Sequence, residues 1–280
     1  MEHATTRICL RQFFVLAGFF FLFVQSLTAV ELDSVYRLTG TFRVSTTPGL
    51  KVYFPASCEN AMPRVMQIFT RVRERFTKVF PELKTFQVGV ILTDHDDRDS
   101  GKADSTFDLI TLSIAEETDS LSTRGYSLEQ RFSLRLATIL VLRSLGSSHV
   151  ALKRRLALLS IPPWFLEGLA HHFAFPMDAL ARSRLLEMAR TRNLYSLDEL
   201  DTFMERTSIA QEEMKFQSRS MIDFWHDKAS STAGLRFLGL IGHHPGGFAE
   251  VYREAFGFSL GEGINAYHAF IQKECASAEG

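Results

Sequence analysis

The stretch Ile161–Phe173, which reads IPPWFLEGLAHHF, constrains this chain more than any other. Pro162 and Pro163 fix φ and suit the first turn of a helix, where a missing N–H leaves no bond unmade. Trp164, Phe165, Leu166, Leu169, Ala170 and Phe173 then recur at helical spacing, so the helix is expected to be buried. Glu167 falls on or beside that apolar face. A carboxylate there needs a cation, a metal or hydrogen-bond donors, because burying it alone is costly. The rest of the chain has to supply that partner.

The ends of the chain bear on where it works. Arg7 and Arg11 precede the apolar run Phe13–Val24, and Ser26, Thr28 and Ala29 follow it. About a dozen apolar residues fall short of the roughly 20 that span a bilayer. The pattern fits a secretory signal over residues 1–29, cleaved after Ala29. Leu27 is large for its place before the cut, so an uncleaved N-terminal membrane anchor is the alternative. The chain is expected to be exported, periplasmic or extracellular, touching a membrane only through this segment if it is retained. Cys9 lies within the segment. That leaves Cys58 and Cys275 as a candidate disulfide, with two free thiols as the alternative. A net charge of −1 argues against a nucleic-acid partner held by bulk electrostatics. The 25 Phe residues predict an aromatic core.

Periodicity divides the chain in two. Strands are expected at Arg43–Ser45, Lys51–Phe54, Thr85–Thr93 and Phe107–Ala115, the third being central because it is apolar and β-branched throughout. A long amphipathic helix, capped by Ser57 or Asn60, runs to about Val79 with Val65, Ile68, Phe69, Val72, Phe76 and Val79 on its stripe. The polar loop Asp94–Asp104 is acidic, but Arg98 and Lys102 interrupt it, so a solvated turn fits better than a calcium loop. Ser127 and Gln130 form a capping box for a helix over Leu128–Leu145, aliphatic nearly all round. Helical character resumes over Val150–Leu159. Beyond Phe173 every expected element is a helix: Asp178–Arg192, Leu197–Met204, Ile209–Asp227, Leu235–Ile241, Phe248–Phe256 and Ile264–Ile271.

This order of parts resembles the peptidase MA-like, gluzincin-type zinc metallopeptidases of the thermolysin-like clan, in particular secreted bacterial members. Gly101-Lys102-Ala103 ahead of Phe107–Ala115 stands where that family has a G-x-A element and an edge strand. Pro162, Trp164, Glu167, Gly168 and Ala170 match its Pro-x-Trp-x-x-Glu-Gly-x-Ala segment, whose Glu is the third zinc ligand. The resemblance implies an α+β fold. A zincin-like N-terminal half over residues 30–174, a small sheet plus two long helices, is followed by an all-helical C-terminal half over residues 175–280. It also implies a cleft with Glu167 in its floor and an edge strand, Phe107–Ala115, that pairs with extended peptide.

The chain departs from the family at the chemistry. Zinc peptidases need two His at i and i+4 on one helix face, with a Glu beside the first as general base. No H-E-x-x-H occurs anywhere, and Leu128–Leu145, the helix that should carry it, has no His. No catalytic residue is therefore assigned, and no cofactor is expected. Glu167 reads as a vestigial third ligand. Arg143 or Arg135 is its expected replacement partner, since eight helical residues bring the two within about 80°; the alternative is that Glu167 bonds local backbone donors and both Arg face solvent. Pro162, Trp164, Gly168 and Ala170 then serve packing. The alternative is a metal-dependent peptidase or hydrolase with zinc on a non-standard site. Glu167 and His171 would be two of its ligands, with His149, His243 or His244 adding a third. The leading expectation is a pseudopeptidase with a binding or structural role, its partner a peptide or cell-envelope component in the former cleft.

Overall fold

Short runs of β-branched and apolar residues in the first half form one sheet. The computed structural model describes residues 42–94, 103–104, 109–114, 126–145, 160–191, 194–241 and 247–277. Within them the strands are β1 (Arg43–Thr47), β2 (Leu50–Phe54), β3 (Val88–Thr93), β4 (Ala103–Asp104) and β5 (Leu109–Ser113), ordered β1-β2-β3-β5-β4. β1 and β2 form a hairpin whose turn ends on Gly49, at φ 79°, a conformation that glycine adopts without strain. β2, β3 and β5 run parallel. Parallel neighbours need a crossover, and α1 (Met62–Val79) provides the one between β2 and β3. β3 is central, as its composition predicts, with five of its six residues buried.

The expected edge strand is not at the edge. β4 lies antiparallel on the outer side of β5, pairing Ala103 with Ile110. β5 is thereby flanked by β3 and β4, and the rim of the sheet is the two-residue β4.

α1 buries the predicted stripe except for its last residue, Val79, which is exposed, and its start differs. A 3₁₀ turn over Ala56–Ala61 leads into it, Pro63 enters its first turn, and neither Ser57 nor Asn60 caps it. The Ser57 hydroxyl donates instead to the Asp94 carboxylate at the end of β3. α2 (Leu128–Ser144) opens with the predicted reciprocal box: Gln130 N–H donates to Ser127 Oγ at 3.2 Å, and Ser127 N–H to Gln130 Oε1 at 2.9 Å.

The second half is helical throughout its described residues: α3 (Pro163–Ala174), α4 (Ala179–Thr191), α5 (Leu197–Asp201), a 3₁₀ turn over Phe203–Glu205, α6 (Ser208–Lys228), α7 (Ala233–Ile241), α8 (Phe248–Phe256) and α9 (Leu260–Ser277). α9 is far longer than Ile264–Ile271. Ser259 and Glu262 cap it reciprocally, a second Ser-x-x-Glu box that the apolar spacing alone does not reveal. The fold is α+β, a small sheet with its helices followed by an all-helical half. One cluster of buried side chains runs from Leu50 in β2 to Ile271 in α9.

The two thiols of this region are free. Cys58 is buried in the 3₁₀ turn before α1, while Cys275 lies on the last helix with its Sγ 3.8 Å from the Leu186 carbonyl of α4. Each is committed to a different neighbourhood, so the candidate disulfide does not form. The expectations for the N-terminal segment, the calcium reading of residues 95–102, the Val150–Leu159 helix, His149, His243 and His244 lie outside the described residues.

Candidate functional site

α3 lies between α2 and α6, and its sequence explains how it fits there. Trp164 is fully buried and donates its indole N–H to Asp201 Oδ1 at 2.9 Å. Phe165 centres an aromatic cluster, with ring centroids 4.8 Å from Phe237, 5.0 Å from Phe248 and 6.5 Å from Trp225. Gly168 faces α6 so closely that a Cβ there would lie 2.9 Å from the Ser218 backbone. Ala170 and Ala174 are buried. Apart from Glu167, the motif residues on this helix make close helix packing.

Glu167 is half-exposed, its side chain 38% accessible, and its carboxylate lies 3.9 Å from Nε2 of His171, one turn on. His171 is buried, and its pKa is pushed down to about 3 by that burial, helped by the nearby positive charges of Arg219, Lys215 and Arg135. Its ring is therefore neutral near pH 7, and Glu167 meets a dipole rather than a cation. The expected guanidinium partner is not the contact formed. Arg143 places its guanidinium 4.0 Å over the Phe86 ring, a cation–π arrangement that turns it toward the sheet-side loop. Arg135 bears on His171 electrostatically, and the polar contact that Glu167 makes among the described residues is the one with the His171 ring.

A second polar group extends from the other histidine of the pair. His172 Nδ1 is 2.5 Å from Oδ1 of Asp223 on α6. A carboxylate only accepts, so Nδ1 carries a proton. Arg219, one turn before Asp223, sets Nε 3.7 Å from Asp223 Oδ2 and donates to the Phe175 carbonyl that follows α3. Arg219 is buried, which lowers its pKa, with Asp223 opposing the shift. The His172 ring stacks 4.1 Å from that of His226, whose Nε2 accepts the Gly234 N–H at 3.1 Å. Burial, followed by His172, lowers His226 to about 4.

The Arg219–Asp223 spacing of four is visible in the sequence as a helical pair, but nothing in the sequence aims it at His172. His172 and Asp223 border a cavity of about 530 Å³ lined also by Arg75, Phe175, Met177 and Asp227 among others. A second cavity of about 510 Å³ shares Met177, Asp223 and Asp227 with it.

As a metal site, Glu167 and His171 supply two ligands where catalytic zinc takes three protein ligands and one open position. Among the described residues no three His, Cys, Asp or Glu side chains gather as a metal set. No protein-family model matches this chain, and no curated protein matches it.

Proposed function

We propose that the chain is an exported, gluzincin-like protein that has lost zinc-peptidase chemistry and acts by binding, its former cleft taking a peptide or cell-envelope component. One observation carries this reading. The helix packed against the Glu167 segment, α2, buries Leu136, Ala137, Ile139, Leu140 and Val141 and carries neither a His nor an H-E-x-x-H. Water activation on zinc needs ligands and a base from that helix, and aliphatic side chains supply neither. The mixed sheet with an antiparallel rim strand supports the resemblance, as does the packing of α3 on α2. Since β5 is flanked on both sides, recognition by side-chain cavities is favoured over strand addition along Phe107–Ala115.

A second reading, a metal-dependent hydrolase with a rebuilt site, is favoured by the 3.9 Å approach of Glu167 and His171. The same experiment separates the two. Purified mature protein is assayed for bound zinc and for casein and peptide turnover, with and without chelator. The expected result is no turnover and no stoichiometric zinc. Chelator-sensitive turnover overturns the first reading. Export is tested by mass spectrometry of the exported protein's N-terminus, which is expected at Val30.

A further inference from the structure

The cavity beside α3 is lined by two exposed charges of opposite sign, Arg75 and Asp227, neither of which makes an ion pair among the described residues. Arg75, on α1, donates from Nη2 to Ser133 Oγ at 2.8 Å and to the Ala174 carbonyl at 2.5 Å. Both acceptors are neutral, and its Nε and Nη1 donors are unused by them. Asp227, at the end of α6, lines the same cavity. Among the described residues Arg75 has no anionic partner and Asp227 has neither a cation nor a hydrogen-bond donor. Asp223 is engaged by His172 and Arg219; in the adjoining cavity Arg182 meets Glu274 and Lys228 lies 5.3 Å over the Phe258 ring.

We propose that this cavity binds a zwitterion of the free amino-acid or short-peptide class, with Asp227 taking the ammonium and Arg75 the carboxylate. The proposal rests on the binding reading above and gives that site a ligand class. A simple anion would answer Arg75 and leave Asp227 facing it, and a simple cation would do the reverse. A ligand with both charges satisfies both. His172 also lines the cavity, its Nδ1 held by Asp223. Phe173, Phe175, Pro176 and Met177 give an apolar wall for a side chain. The volume of about 530 Å³ is within the usual range for small-molecule sites.

The test is calorimetric titration of the mature protein with the twenty free amino acids and with alanyl-phenylalanine, each also in N-acetylated and C-amidated form. At least one zwitterion is expected to bind, and either block is expected to weaken it about tenfold, the loss of one charge-assisted contact. In Asp227→Asn the acetylated and free forms should bind alike, while amidation still weakens binding. In Arg75→Gln the pattern reverses, and Arg75→Lys restores the carboxylate preference. Unchanged thermal midpoints show that the variants fold. Free amino acids and the dipeptide compete as separate arms, which identifies the member of the class. The proposal is overturned if no zwitterion binds, if binding ignores both blocks, or if Asp227→Asn keeps the acetylation penalty. None of these outcomes bears on the loss of peptidase chemistry, which falls only to chelator-sensitive turnover.

Discussion

α2 and α3 pack on one another and are built on opposite plans. α2 begins with a reciprocal side-chain cap and buries apolar residues on most of its surface. α3 has no side-chain cap, enters through Pro162 and Pro163, and divides its surface in two. One face, Trp164, Phe165, Gly168 and Ala170, is packing. The other, Glu167, His171 and His172, is polar and finds its partners within α3 itself or on α6. Burial accounts for α2 completely. It does not account for the polar face of α3, whose groups contact one another and α6.

That contrast can be broken in four places. Phe165→Ala removes the ring at the centre of the aromatic cluster and is expected to cost about 3–5 kcal/mol in denaturant unfolding, as large as a core truncation on α2. A cost under about 1 kcal/mol would show that α3 is not the core helix its sequence implies.

Acid comes next. His171 and His226 have folded pKa values of about 3 and about 4, below the ordinary 6.5. A histidine whose folded pKa is depressed binds its proton more weakly in the native state. The stability it preserves is complete above pH 6.5 and is lost as pH falls from there toward the folded value. Unfolding at pH 7 and pH 4 should therefore differ by a few kcal/mol, and His171→Gln should remove much of that difference. An equal acid response in wild type and variant would deny that His171 is buried neutral.

Gly168→Ala introduces a Cβ 2.9 Å from the Ser218 backbone, which must move because backbone cannot swing aside. The expected loss is about 1–3 kcal/mol, read as a lower denaturant midpoint. Stabilisation by the better helix former would mean that α3 and α6 are less close than they stand here.

Glu167→Gln is expected to change stability by less than about 0.5 kcal/mol, because a half-exposed carboxylate facing a neutral ring contributes little. A loss of 3–5 kcal/mol, roughly the cost of breaking a buried ion pair, would restore the guanidinium partner that the sequence suggests.

Much of the fold is legible from local pattern. The α2 box at Ser127 and Gln130, the α5 box at Ser196 and Glu199, the end of α1 and the bounds of α8 coincide with their sequence signals to within a residue or so. Local misses have local causes. A 3₁₀ turn displaces the cap expected for α1, and the Ser259 box extends α9 beyond its apolar stripe. The site is less legible. The place of β5 depends on the pairing of β4 outside it, and hydrophobic content does not distinguish an inner strand from a rim. His172 and Asp223 stand 51 residues apart in sequence, and only the crossing of α3 and α6 brings them together.

The sequence by itself determines that Ile161–Phe173 is a buried helix entered through prolines, that its neighbour α2 is aliphatic, and that the chain is α+β with a helical second half. These follow from periodicity and caps, which act over a few residues. Tertiary structure alone decides that Glu167 faces a neutral His171, that Arg143 lies over Phe86, that Cys58 and Cys275 stay apart, and that Arg75 and Asp227 share one cavity. Each depends on which side chain of a distant element comes within a few ångströms. Helix crossings and sheet order set those distances, and residue types within a local window do not.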